Sequence, residues 1–167
     1  MKPVLFIIAW FLLSHTIFAQ DELQKLIPDG CHCTVLLPGT PIKSVSTDST
    51  GGVHATISFW NRYGKNKIYG LEMCVYDEGY NFDYTKELLA QRDNFCASTK
   101  TEMENTSLTK QNGYSGIDFI SRGQTNIFYN RILIVDRRVY ILFVAQPVDA
   151  TRSPDVDRFL NSFNTLR

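Results

Sequence analysis

The sequence predicts an α+β fold, an antiparallel β-sheet with helices packed on its faces. Three observations predict it. Several runs between residues 34 and 145 alternate apolar and polar positions, the period of strands with one face buried. Two stretches, 83–98 and 153–163, change to three- and four-residue apolar spacing, the period of a helix lying on a surface. Asp136-Arg137-Arg138 joins two apolar runs by a connection so short that they must pair antiparallel.

In chain order, Met1-Lys2-Pro3 is followed by Val4 to Leu13 without a charge, then by Ser14 to Ala19 and the acidic pair Asp21-Glu22. A basic start, a short apolar core and a small residue before a polar stretch predict a secretory signal peptide over residues 1–19, cleaved after Ala19. The apolar run falls short of the ~20 residues a spanning helix needs, so no transmembrane anchor is expected. No cysteine lies near the boundary, which argues against a lipid anchor. What remains, residues 20–167, has a length ordinary for one domain.

Residues 20–30 read as a polar lead-in. Thr34 to Leu37 is a strand stopped by Pro38-Gly39, and 40–52, rich in Thr, Ser and Gly, reads as a loop. Val53 to Trp60 alternates, with Val53, Ala55, Ile57 and Phe59 on the apolar face and His54, Thr56 and Ser58 opposite. Residues 61–67 form a polar hairpin connection to a strand over Ile68 to Tyr76. In the first helix Tyr84, Leu88, Leu89, Arg92, Phe95 and Cys96 make the stripe. Strands follow at 101–108, 115–121, 127–135 and 139–145, with a turn at Asn112-Gly113. The last two carry so many apolar residues that they belong in the middle of the sheet. Ser153, Pro154, Asp155 and Asp157 open the last helix, whose stripe is Val156, Phe159, Leu160 and Phe163.

Seventeen basic residues balance 17 acidic ones, and no long basic run occurs, so nothing points to nucleic acid or to an anionic membrane surface. The four cysteines, Cys31, Cys33, Cys74 and Cys96, fall in the exported part, where an even count reads first as two disulfides. Three pairings exist. On an extended chain Cys31 and Cys33 point the same way. The first helix climbs ~18 Å between Tyr84 and Cys96 at ~1.5 Å per residue, bringing Cys96 back towards Met73 and Cys74. All four sulfurs then fall in one neighbourhood if the first strand is close. The favoured expectation is that Cys31 or Cys33 pairs with Cys96. One disulfide with free thiols, and a metal or redox site at Cys31-His32-Cys33, stand beside it.

The ordered pieces resemble exported PsbP-like domains. The resemblance rests on Leu36-Leu37-Pro38-Gly39-Thr40-Pro41, Met73-Cys74-Val75-Tyr76-Asp77 and Gly113-Tyr114-Ser115-Gly116-Ile117-Asp118. It continues through Arg131 to Ile134, Arg138 to Leu142 and Phe159 to Phe163, and so spans roughly residues 33–167. It implies an α/β/α sandwich. Relatives of that fold include a photosystem accessory protein, a Ran-binding import factor, bacterial envelope lipoproteins and secretion-system chaperones, which share macromolecular binding without a common catalytic site. The Cys31-His32-Cys33 run departs from the common pattern, as do Cys74 and Cys96.

No catalytic constellation is legible. After the leader only His32 and His54 remain, both read as surface residues, and no Gly-x-Ser-x-Gly, phosphate loop or His-Glu-x-x-His occurs. The best contact surface by composition is Trp60, Arg62, Tyr63, Lys65 and Lys67 around the first hairpin, since Arg and aromatics concentrate at binding hot spots. Arg131 and Tyr140 lie within strands and read as packing residues. The sequence thus describes an exported, periplasmic or secreted, non-enzymatic binding or accessory protein. It would need no cofactor and would contact an unidentified envelope or extracellular protein. A small redox or metal-handling protein using Cys31-His32-Cys33 is the alternative.

Overall fold

The computed structural model describes residues 22–49 and 54–166. The expected leader over 1–19, and Val53 at the start of its expected strand, lie outside them. The elements are β1 (Gln24–Leu26), β2 (Cys33–Leu37), β3 (Ile42–Asp48), β4 (Ala55–Tyr63), β5 (Ile68–Tyr76) and α1 (Tyr84–Thr99). They continue with β6 (Glu102–Gln111), β7 (Tyr114–Arg122), β8 (Asn126–Val135), β9 (Arg138–Pro147), α2 (Pro154–Leu160) and β10 (Asn164–Thr165). Seven strands form one antiparallel sheet in the order β3-β4-β5-β9-β8-β7-β6, and β1-β2-β10 form a second, three-stranded sheet. The fold is α+β, as the alternation predicts.

Local chemistry explains the joints. Asp136 and Arg137, between β8 and β9, both take positive φ (47° and 63°), and so does Asn112-Gly113 between β6 and β7 (53° and 88°). Two successive left-handed residues give a turn whose twist matches that of the paired strands. The β8–β9 hairpin so closed lies at the centre of the large sheet, where its apolar content places it. Asp83 caps α1 by accepting from the backbone N–H groups of Thr85 and Lys86 (both 3.1 Å). Ser153 stands at the N-cap of α2 before Pro154, but its hydroxyl is engaged otherwise, accepting from Lys67 Nζ at 2.6 Å.

Alternation sorts the large sheet into two cores. On one face Trp60, Tyr69, Leu71, Leu133, Tyr140 and Leu142 pack against β2 and against Val156, Phe159, Leu160 and Phe163. On the other Cys74, Ile117, Phe119, Ile132, Val139 and Ile141 meet Leu88 and Phe95 of α1. Arg131 fastens the first arrangement. It grips Asp118 with two 2.7 Å bonds and reaches Gln111 Oε1, Leu160 O and Asn161 Oδ1, tying the end of α2 to the sheet. Arg131 and Tyr140 are therefore structural, as expected.

Four sequence expectations are corrected. Residues 42–48, expected as loop, form β3, and the lead-in contains β1. An edge strand with every residue exposed shows no apolar alternation, so its pattern looks like a loop. In β4 the face carrying Ser58 and Trp60 enters the deeper core, while Ile57 and Phe59 stay half-exposed. In α1, Leu88 and Phe95 are buried, whereas Tyr84 and Leu89 of the expected stripe are exposed. Last, the sulfurs do not form one neighbourhood. Cys31 bonds to Cys33, with Cα atoms 5.2 Å apart, and Cys74 and Cys96 are free. The reason is the period of two: Met73 faces β2 and the Cys31–Cys33 pair, so Cys74 must face α1 on the opposite side of the sheet. His32, with φ 54°, is the exposed residue that closes the tight link. Denatured, unreduced protein is expected to take two alkyl groups, on Cys74 and Cys96, with residues 31–33 recovered as one internally bonded peptide. Protection of Cys96 would contradict this pairing.

Candidate functional groove

Helix α1 packs over β7 and β8 and leaves the β3–β5 side of its face of the sheet partly uncovered. The gap is a half-open groove of about 710 Å³, within the range of ligand sites. Its floor is apolar: Ala55, Ile57 and Phe59 of β4, with Ile141 of β9. Its walls are acidic and polar. Asp48 comes from β3, Glu72, Cys74 and Tyr76 from β5, Tyr80 from the connection, and Glu87, Gln91, Asn94 and Ser98 from α1. Among the described residues no Lys, Arg or His lines it.

Two carboxyl groups in the groove differ sharply. Glu87 is buried in the first turn of α1, and its oxygens accept from the Tyr76 hydroxyl, from the Tyr80 hydroxyl at 2.8 Å and from Gln91 Nε2 at 2.9 Å. Tyr76 and Tyr80 stack with ring centroids 4.3 Å apart, and Phe82 meets both edge-on. Arg137 donates to the Tyr80 carbonyl at 2.7 Å, holding this aromatic end of the groove to the β8–β9 turn. These phenols are donors that stay protonated. Burial, then the bond to Glu87, drives Tyr76 far above its ordinary range, and the bond to Glu87 pushes Tyr80 up to about 12.

Glu72 has no such support. It lies on the groove face of a central strand, and no hydrogen bond or ion pair from a described residue reaches its carboxylate. Burial alone raises its pKa to about 7. Next to it, burial pushes the Cys74 thiol up to about 12, with the neighbouring carboxylates adding to the effect against a bond from Tyr76. A thiol so held is neither nucleophile nor ready metal ligand near neutral pH. Among the described residues no group of three or more His, Cys, Asp or Glu is placed to hold a metal ion. What the groove offers is an apolar floor with negative charge beside it.

Of the residues expected to form a contact surface, Tyr63, Lys65 and Lys67 line one pocket at the β4–β5 hairpin, whereas Trp60 and Arg62 are engaged elsewhere. Trp60 is 1% exposed and belongs to the core, so it cannot meet a partner. Arg62 donates from Nε to Pro38 O at 2.8 Å and packs its guanidinium under Gly39, fixing the turn after β2. Lys67 is bonded to Ser153, while Tyr63 is exposed beside Lys65 at the hairpin tip. His54 is exposed and bonded to Ser49 Oγ at 3.2 Å. Cys31 and Cys33 are fully buried as a disulfide, which removes both thiols from the metal-binding alternative. The sequence reading missed Glu72, Glu87, Tyr76, Tyr80 and Asp48. A lone acid within Ile68-Tyr69-Gly70-Leu71-Glu72-Met73-Cys74-Val75-Tyr76 was the available signal, because a charge in a central strand is seldom there for packing.

Among the described residues no helix is long and apolar enough to cross a membrane. No family model and no curated protein matches the chain. Among solved structures it is similar to PA94, a protein of unknown function from Pseudomonas aeruginosa. The identity is 8% and the TM-score 0.36, over 76% of this chain and 84% of that one.

Proposed function

We propose that this chain is an exported, non-enzymatic binding or accessory protein of the PsbP-like kind, an α/β/α sandwich that works through protein–protein contacts. Its recognition site is the groove between α1 and strands β3–β5. One observation carries the reading: a central sheet face is left half-covered, with Ile57 and Phe59 of its floor partly exposed beside acidic walls. Apolar surface kept open in this way costs stability and is the usual mark of an interaction site. The groove's thiol and phenols are all held protonated, which suits binding better than proton transfer or nucleophilic attack.

The test is to plug the groove. Ala90 is an exposed residue of α1 on the groove wall, so Ala90→Trp fills the space without disturbing the core. Capture of the native partner from the host's exported fraction is expected to fall at least about tenfold, with the melting temperature unchanged. Lys65→Glu at the hairpin tip should leave capture intact. Undiminished capture by Ala90→Trp, or its loss in Lys65→Glu, would move the site away from the groove.

A further inference from the structure

We infer that the groove's occupant is a lysine or arginine side chain presented by an exposed segment of the partner protein, its aliphatic stem on Ile57 and Phe59 and its charge at Glu72. This rests on the groove being the recognition site, and deepens that reading by naming the chemistry recognised. Three features combine to support it. Asp48, Glu72 and Glu87 line the groove from three different elements, and among the described residues no Lys, Arg or His lines it beside them. The carboxylates are also not equivalent. Glu87 is committed to Tyr76, Tyr80 and Gln91, whereas Glu72 has no hydrogen-bonding or ion-pair partner among the described residues. A largely buried carboxylate without a partner is unfavourable, and a cation entering the groove would supply one.

The third feature is the shape of the chemistry. Lysine and arginine are apolar along the stem and charged at the end, and they cover apolar surface while the head finds a counter-charge. The groove presents the complementary order, Ile57 and Phe59 of β4 beside Glu72 of β5, with Phe59 directly opposite Glu72 in the strand register. A fully apolar ligand would leave Glu72 buried and unpaired. An acidic ligand would meet repulsion from all three carboxylates.

The experiment is selection of a random octapeptide display library on the full chain. Selected peptides are expected to carry lysine or arginine beside apolar residues. Their affinity should fall at least about tenfold when that basic residue is replaced by glutamine. It should fall similarly on Glu72→Gln, a near-isosteric change whose fold is checked by thermal melting. Selection of neutral or acidic peptides, no selection at all, or equal binding to Glu72→Gln would overturn the inference. Ala90→Trp separates it from the reading it rests on. Peptides that lose Ala90→Trp but ignore Glu72→Gln overturn the cation and leave the groove. Peptides that bind Ala90→Trp like the parent chain overturn the groove itself.

Discussion

Gly116→Ala is expected to destabilise the protein by about 3 kcal/mol or more, the largest effect foreseen for any single added methyl. Gly116 sits in β7 opposite Leu133 of β8. A Cβ there would lie 2.3 Å from the carbonyl oxygen of Ile132 and 2.7 Å from Leu133 Cδ2. The first contact is with backbone in the middle of the sheet, which cannot move without loosening the β7–β8 ladder. Gly70 provides the contrast. A Cβ there would come within 2.0 Å of the Phe143 ring, a side chain that can swing away at a cost of about 1–2 kcal/mol. Urea unfolding of both variants checks the order. A Gly116→Ala protein within about 0.5 kcal/mol of the parent would mean that β7 and β8 are not in this register.

Glu72 should make stability fall as pH rises. Its folded pKa, about 7, lies above the ordinary value of 4.5, so the folded chain binds more protons between those values. Stability is then highest below about pH 4.5 as far as this group is concerned, declines through the window, and is fully lost above about pH 7. The size is on the order of 3 kcal/mol. Glu72→Gln removes the ionisation, so it is expected to be neutral near pH 5 and stabilising at pH 8 by a comparable amount. Denaturant midpoints of the two proteins across that range decide it. A Glu72→Gln difference independent of pH would show that the carboxyl is solvated, or is paired with a group outside the described residues.

Much of the frame was legible because pattern and turn chemistry agree with it. Strand β5 follows from alternation, the central place of the β8–β9 hairpin from its apolar content, its antiparallel pairing from the short Asp136-Arg137-Arg138 connection, and the β6–β7 turn from Asn112-Gly113. Asp83 and Ser153 mark the helix starts. Edge strand β3 was not legible, since a strand paired on one side and exposed on both faces has no apolar rhythm to read. The groove was illegible for a related reason. Composition ranks Trp60 and Arg62 as contact residues, but which face of β4 reaches the core depends on where β2 and α1 pack, and that is a tertiary choice. The cysteine pairing turned on the same point, with one residue of alternation separating Met73 from Cys74.

The most direct measurement places photo-leucine, a diazirine crosslinking residue of leucine size that leaves the groove open where tryptophan fills it, in turn at Ala90 on the groove wall, at Lys65 on the hairpin tip and at Leu108 on the far edge strand β6. The full chain is then irradiated with its native partner. A covalent adduct from the Ala90 position, with none from Lys65 or Leu108, is the result a groove-binding protein gives. Adducts from Lys65 or Leu108 with none from Ala90 would contradict it and put recognition on the sheet's rim.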